Sequence, residues 1–459
     1  MSDPSRPVPG MSRQALARVR RCVIAVVVLC LVTAGMFLMR PASALAAPAP
    51  TSTQPATTVL NPSVDPFYTP NVPLAPLKPG TPIKTRTVRV ITSQNKKTGK
   101  TTSISATQVL YRTTNALGQP AAAVTTIIRP RVKGKLKLIS YHAPYDTLGS
   151  QCDPSYTLQG SGTGAPQEVD LIAAEPLLAE GYTVVIPDYE GLQDHWTIGK
   201  ESAYAALDSV RVSEKILHAP SSTPVGLMGY SGGSVPTGFA ADLAPTYAPE
   251  LTIVGAAAGG VLVDPAHNLP YIDGTPLWSS VIPALMYSYN ATYNLDINQY
   301  LSTQGVSALQ HVAGQCLTEF LGNPGNITDS SLLQPQWPSL LSIPALIHPL
   351  NDNIMGASGV PRTPMFLGVG NISPNSGNPP QPGDGIMLVD DVAGLATQYC
   401  KEHVKTQFRI YPKLNHFQAF LPWLGDANAF MNARFAGKSA VYCKGIPQGV
   451  PLTPLPPIK

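Results

Sequence analysis

With 459 residues, 44% of them apolar, the chain suffices for one large domain with an insertion or for two ordinary domains. Charged residues make up only 13% and prolines number 48, which excludes coiled coils and long charged helices. The formal charge of +4 is carried by residues 1–46, which hold six Arg and one Asp; the remainder stands at −1, so no nucleic-acid surface is expected.

Residues 1–46 read as a signal peptide. Arg13, Arg18, Arg20 and Arg21 precede the apolar run Cys22 to Met39, and Ala44-Leu45-Ala46 fits a small-residue cleavage site. An uncleaved N-terminal anchor is the alternative, because 18 apolar residues reach the lower limit for a membrane span. Either way the protein is expected to be secreted or held at the cell envelope. Residues 47–85, rich in Pro, Thr and Ala, read as a linker or arm.

Strand-type runs follow at Thr87–Ile91, Ser105–Tyr111, Ala122–Ile128, Lys135–Tyr141 and Tyr182–Ile186, then a helix over about Glu201–His218. The strand Val225–Met228 and the run Leu251–Ala258 complete a first half, residues 86–261. Residues 262–361 break the alternation. They are proline-studded, their apolar segments Trp278–Tyr287 and Val306–Leu321 read as helical, and they are expected to form a cap or lid inserted between sheet strands. Alternation resumes over 362–445, with strands at Pro364–Val369 and Phe408–Tyr411 and helices over about Val389–Glu402 and Leu424–Phe435. Residues 446–459 are a proline-rich tail. Near-continuous apolar strands alternating with helices predict an α/β fold with a mostly parallel central sheet covered on both faces.

Beyond the signal segment the cysteines are Cys152, Cys316, Cys400 and Cys443, none at metal-ligand spacing. In an oxidising compartment they read as two disulfides, and order and spacing favour 152–316 and 400–443. No metal or organic cofactor is called for.

The most informative motif is Gly229-Tyr230-Ser231-Gly232-Gly233, directly after an apolar strand. This is a G-x-S-x-G nucleophile elbow, in which a sharp strand-to-helix turn exposes the serine hydroxyl. A serine needs a base, and the base needs a carboxylate to orient it. In the α/β-hydrolase fold these follow in the order Ser, acid, His. Asp384 lies after the Pro364–Val369 strand, and His416 lies in the loop after the Phe408–Tyr411 strand, giving Ser231, Asp384 and His416 as candidate catalytic residues. Asp352, Asp390 and Asp391 compete for the acid role. Asp352 precedes the strand, however, and the other two fall where a helix begins and complement its positive end. His403 falls on a helix, and His142 precedes the nucleophile. For the oxyanion, Gly232 supplies one backbone N–H. The segment Tyr141-His142-Ala143-Pro144-Tyr145-Asp146-Thr147 is either a polar loop or the source of a second donor at Asp146.

Taken together, these residues resemble the secretory lipases of the Candida lipase A type. The likeness rests on Tyr141-x-x-x-Tyr145-Asp146, the serine elbow, the helical cap, Asp384, His416 and the order of the cysteines, over roughly residues 80 to 445. It implies secreted ester hydrolysis, usually of acylglycerols at a lipid–water interface, with an oxyanion hole at Asp146 and Gly232. Trp278, Leu285, Met286 and Tyr287 of the cap would shape an acyl pocket or simply pack cap on core. The long Asn371–Gly383 segment departs from the tighter turn usual in that family. An acyltransferase using the same site, or a non-catalytic binding module, are the alternative functions.

Overall fold

The computed structural model describes residues 59–94, 101–132, 134–162, 165–376 and 380–458. The expected signal peptide and residues 47–58 of the arm lie outside them.

The strands are β1 (Pro82–Gln94), β2 (Thr101–Thr114), β3 (Pro120–Ile128), β4 (Leu138–His142), β5 (Thr183–Pro187), β6 (Pro224–Tyr230), β7 (Thr252–Gly259) and β8 (Met365–Asn371). They continue with a short hairpin of β9 (Ser373–Ser376) and β10 (Gln381–Gly383), and with β11 (Thr406–Pro412). Nine of them form one sheet in the order β1-β2-β3-β5-β4-β6-β7-β8-β11. β1, β2 and β3 pair antiparallel, β3 pairs antiparallel to β5, and every pair from β5 to β11 is parallel. This is the α/β-hydrolase arrangement, a mostly parallel sheet flanked by helices.

The longer helices are α1 (Ala165–Ala179), α2 (Gly199–Ile216), α3 (Ser234–Tyr247), α4 (Pro265–Ile272), α5 (Val281–Tyr293), α6 (Thr303–Val312), α7 (Pro344–Asp352), α8 (Val389–Lys401) and α9 (His416–Phe435). Alternation along each strand divides the core in two. Leu138, Leu227, Ala256, Ala258 and Leu367 face one side with α2, α3 and α8. Their neighbours Ile139, Met228, Ala257 and Phe366 face the other, with α1 and α9. Because both faces are buried, every residue of these strands can be apolar, which is why the runs read as continuous.

Between β7 and β8 the chain forms α4 to α7 and contributes no strand to the main sheet. Cap residues such as Ile282, Met286 and Leu346 belong to the same buried cluster as α2 and α3, so the insertion shares a core with the sheet. The expected segment Trp278–Tyr287 is a short 3-10 turn followed by α5. The Val306–Leu321 segment is α6, then a break at Gly314, then the turn Leu317–Phe320.

Local detail goes beyond the sequence expectations. The described part of the arm is not free: Phe67 and Tyr68 pack on Leu110, Ala122 and Val124, and Asp65 pairs with Arg86 of β1. No element was expected between Asp146 and Tyr182, where α1 runs through Pro176. The last helix begins at His416, eight residues before expected, because Asn415 caps it while Pro422 and Gly425 interrupt its apolar period. The tail packs as well: Val450 N–H donates to the Asp390 carbonyl, and Leu455 exchanges two hydrogen bonds with Asn351.

Trp423 of α9 is completely buried beneath the sheet, against Tyr230 and Phe420. Trp423→Ala is expected to destabilise the fold by about 3–5 kcal/mol, read as a lowered urea midpoint; a cost below about 1 kcal/mol would contradict this packing.

Candidate active site

Register places the three candidate catalytic residues together. β4, β6, β7, β8 and β11 are parallel neighbours, so their C-terminal ends form one edge, and Ser231, Asp384 and His416 all emerge there. Ser231 follows β6 with φ +56°, a left-handed conformation that a serine adopts only under constraint. The constraint is close packing. A Cβ on Gly229 would lie 2.1 Å from the Gly233 carbonyl oxygen, so the turn into α3 closes only with glycine there.

His416 is the first residue of α9, not part of a loop as expected. Its ring lies against Tyr230, and its backbone carbonyl accepts from the Tyr230 hydroxyl at 2.6 Å. Nε2 stands 2.7 Å from Ser231 Oγ and Nδ1 stands 2.8 Å from Asp384 Oδ2. Asp384 has no solvent exposure. Its Oδ1 accepts the N–H groups of Ile386 and Met387 at 3.1 and 2.7 Å, and its carbonyl accepts His416 N–H at 2.9 Å. With Nδ1–H given to Asp384, Nε2 is left as the acceptor for the serine proton.

The long segment before Asp384 is a closed excursion. Ile372 N–H bonds to the Gly383 carbonyl at 2.8 Å, with β9 and β10 forming the hairpin beyond, so Asp384 returns to the end of β8. The competing carboxylates are engaged elsewhere. Asp352 pairs with Lys200, and Asp391 bonds His267 Nδ1 at 2.9 Å. Asp390 stands in the first turn of α8. His142 is buried between Ser140 and Thr237, and burial holds its pKa down to about 3.

Asp146 also adopts a left-handed conformation, φ +41°. A Cβ added to Gly232 would lie 1.8 Å from Asp146 Oδ1, so the two expected oxyanion residues are in direct contact. Trp196 Nε1–H donates to that same Oδ1 at 2.6 Å. Trp196 and Glu190 were not singled out from sequence: they lie on a polar loop after β5, and no spacing relates them to residue 146.

Ser231, Gly232 and Asp146 line a narrow cavity of about 50 Å³ whose other walls are mostly apolar, among them Val235, Ile272, Val281 and Met387. Of the cap residues expected to shape a pocket, Trp278 and Leu285 line it, whereas Met286 is fully buried within the cap and Tyr287 packs against the shared core. Trp278 meets His416 edge-on at 5.4 Å and stacks on Phe417, which is 51% exposed at the rim. A larger groove, about 480 Å³, lies between β11 and α9 and contains none of the catalytic candidates. Among the described residues no group of His, Cys, Asp and Glu is arranged to hold a metal ion. Likewise, no described helix is long and apolar enough to cross a membrane.

The cysteines pair as Cys152–Cys316 and Cys400–Cys443, with Cα–Cα separations of 5.8 and 5.7 Å. The first joins the segment after β4 to the cap. The second ties the end of α8 to the segment after α9.

This fold, with a serine at the elbow beside a histidine and a buried carboxylate, defines the α/β-hydrolase class. Within it, the secretory lipase model matches residues 159–443. The chain belongs to the secretory lipase family and is an ester-hydrolysing enzyme. It is 32% identical to lipase 5 of Candida albicans over 397 residues, 83% of this chain and 82% of that one. It is 33% identical to a probable inactive lipase of Mycobacterium tuberculosis over 323 residues, 67% of this chain and 70% of that one. The solved structure of Candida antarctica lipase A in its closed state superposes with a TM-score of 0.74 at 27% identity, covering 86% of this chain and 90% of that one.

Two predictions follow from this geometry. Gly232→Ala pushes the Asp146 carboxyl aside and is expected to lower kcat on esters by roughly 10²-fold with the fold retained; near wild-type turnover would contradict the contact. The second concerns pH. Burial pushes Asp146 and Asp194 up to about 6, and Asp188 and Asp242 up to about 7. Each then binds its proton more tightly folded than unfolded, so its contribution is full below about pH 4 and is lost as pH rises through 6–7. His142 opposes this, because stability falls as pH drops from its unfolded pKa of 6.5 toward 3. The four carboxyls outweigh the one imidazole. The thermal midpoint is expected to be highest at or below about pH 4 and to fall from there toward pH 8; a midpoint rising steadily from 4 to 8 would contradict the burial assignments.

Proposed function

We propose that the chain is an exported serine lipase that cleaves acylglycerol esters through an acyl-serine intermediate, with Ser231 as nucleophile, His416 as base and then acid, and Asp384 as its orienting partner. The observation that carries this is the continuous hydrogen-bonded line from Ser231 Oγ through both nitrogens of His416 to Asp384, at the wall of an apolar cavity.

Ser231 Oγ bonds to the ester carbonyl carbon as its proton passes to His416 Nε2, and the carbonyl π electrons move onto oxygen. The backbone N–H groups of Gly232 and Asp146 are assigned to that oxyanion. Collapse of the adduct expels the alcohol, which takes the proton from His416. Water then repeats the sequence on the acyl-serine and releases the acid. The imidazolium that forms at each step is stabilised by the Asp384 carboxylate, which has two backbone donors on its other oxygen. No metal or organic cofactor enters this chemistry.

The apolar walls suit an acyl chain, and the exposed Phe417 at the rim suits contact with a lipid surface. Two disulfides fit an oxidising compartment, and with the basic-apolar segment at residues 1–46 they support export to the medium or the cell envelope. One relative is described as inactive, yet in this chain serine, histidine and acid stand within hydrogen-bonding distance of one another.

The test is hydrolysis of p-nitrophenyl esters from acetyl to palmitoyl by protein lacking residues 1–46, beside Ser231→Ala. The expected result is turnover that favours longer chains and falls at least about 10³-fold in the variant. Faster ester exchange with an added alcohol than hydrolysis would make the protein an acyltransferase. Inactivity of folded protein on every chain length would overturn the catalytic reading.

A further inference from the structure

The loop that carries Asp146 has no regular structure of its own, yet an oxyanion donor must stand in place before the reaction begins. Residues 143–148 are held from two sides. On one side the cap segment 315–317 pairs with them: Leu317 N–H donates to the Asp146 carbonyl at 3.0 Å, and Leu148 N–H to the Gln315 carbonyl at 2.9 Å. The Cys152–Cys316 disulfide lies beside that pairing.

On the other side stands the loop after β5. Glu190 Oε2 accepts Thr147 N–H at 3.1 Å, and Glu190 N–H donates to the Tyr145 hydroxyl at 2.7 Å. Trp196 Nε1–H donates to Asp146 Oδ1 at 2.6 Å, and the Tyr189 hydroxyl to the Ala143 carbonyl at 2.7 Å. The loop is anchored in turn, since Ser288 of α5 donates to the Trp196 carbonyl at 2.8 Å and His195 N–H to the Glu190 carbonyl at 2.9 Å.

Glu190 is an expensive residue for this place. It is completely buried, no cation pairs with it among the described residues, and its Oε1 has no hydrogen-bond partner there. A buried carboxyl with a spare oxygen lowers stability, so packing alone does not account for it. What it provides is geometry: an acceptor that fixes the peptide N–H immediately after Asp146, while Trp196 fixes the Asp146 side chain itself.

We propose that Glu190 and Trp196 are positioning residues that hold Asp146 in its left-handed conformation and fix the Thr147 N–H that follows it, and so preset the oxyanion site against Gly232. This rests on the catalytic reading above. Both groups act on a donor that works most strongly in the tetrahedral adduct, so their loss lowers the rate of acylation and deacylation while leaving ground-state ester binding nearly unchanged.

The experiment compares wild type with Trp196→Phe, Glu190→Ala and Glu190→Gln on one p-nitrophenyl ester, with folding checked by thermal midpoint. Each protein is also titrated with an alkyl trifluoromethyl ketone, whose adduct with Ser231 places an oxyanion in the same site. Trp196→Phe and Glu190→Ala are expected to lower kcat by roughly 10–100-fold, to change KM by less than about threefold and to lose ketone affinity by a factor close to that in kcat. Glu190→Gln, whose amide oxygen still accepts Thr147 N–H, is expected within about threefold of wild type. Should Glu190→Ala not fold, Trp196→Phe and Glu190→Gln decide. Unchanged kcat and ketone affinity in folded Trp196→Phe would overturn the proposal, as would KM rising in step with the loss of kcat, or a Gln variant as impaired as Trp196→Phe. Wild type that neither turns over the ester nor binds the ketone would instead overturn the catalytic reading.

Discussion

Everything at this site depends on one carboxylate kept out of water. Asp384 is fully buried and ionisable, which would be costly in isolation. It is tolerated because each oxygen is occupied: two backbone N–H groups on Oδ1 and the His416 imidazole on Oδ2. Its own carbonyl takes the His416 N–H as well, so side chain and main chain together fix where α9 begins. Removing one partner from such a buried group typically costs about 3–5 kcal/mol, far more than the pair adds to stability. The arrangement is therefore a device for direction. It sets the imidazole so that its other nitrogen faces Ser231, and it depends on the hairpin that brings Asp384 back to the end of β8.

Around that pair the fold works by crowding. Ser231 is held in a left-handed conformation by glycines that leave no room for a Cβ, and Asp146, likewise left-handed, rests directly on Gly232. Two strained residues meeting across a glycine are stable only within a rigid frame, and the frame is the doubly covered sheet. The cap adds to it. It shares a buried cluster with the sheet's helices, pairs a segment with the Asp146 loop and is cross-linked to the β4 side by Cys152–Cys316. The apolar wall of the cavity and the backing of the Asp146 loop are thus parts of one packed body.

Much of this was legible in the sequence because the signals were local. The elbow Gly229–Gly233 declares its own turn, and the strands around it are runs of apolar residues wide enough to be buried on both faces. Asp384 and His416 were found by order along the chain, which works because parallel strands deliver their C-terminal ends to one edge. What the sequence concealed was set by contacts between distant segments. Nothing near Glu190 or Trp196 marks them as neighbours of Asp146, since the strand order β5-β4 creates that adjacency. The docking of Phe67 and Tyr68 was hidden by the proline-rich composition around them, which reads only as a linker or arm. The helical start at His416 was hidden too, because Pro422 and Gly425 break the pattern that would have announced it.

The central claim is that Ser231 is a nucleophile activated by His416, and covalent capture tests it most directly. Protein incubated with an alkyl p-nitrophenyl phosphonate should gain a single adduct, which peptide mass mapping should assign to Ser231. The His416→Ala variant should react slower by orders of magnitude under the same conditions. An adduct on another residue, or equal labelling of the variant, would show that the hydrogen-bonded line between these three side chains does not activate the serine.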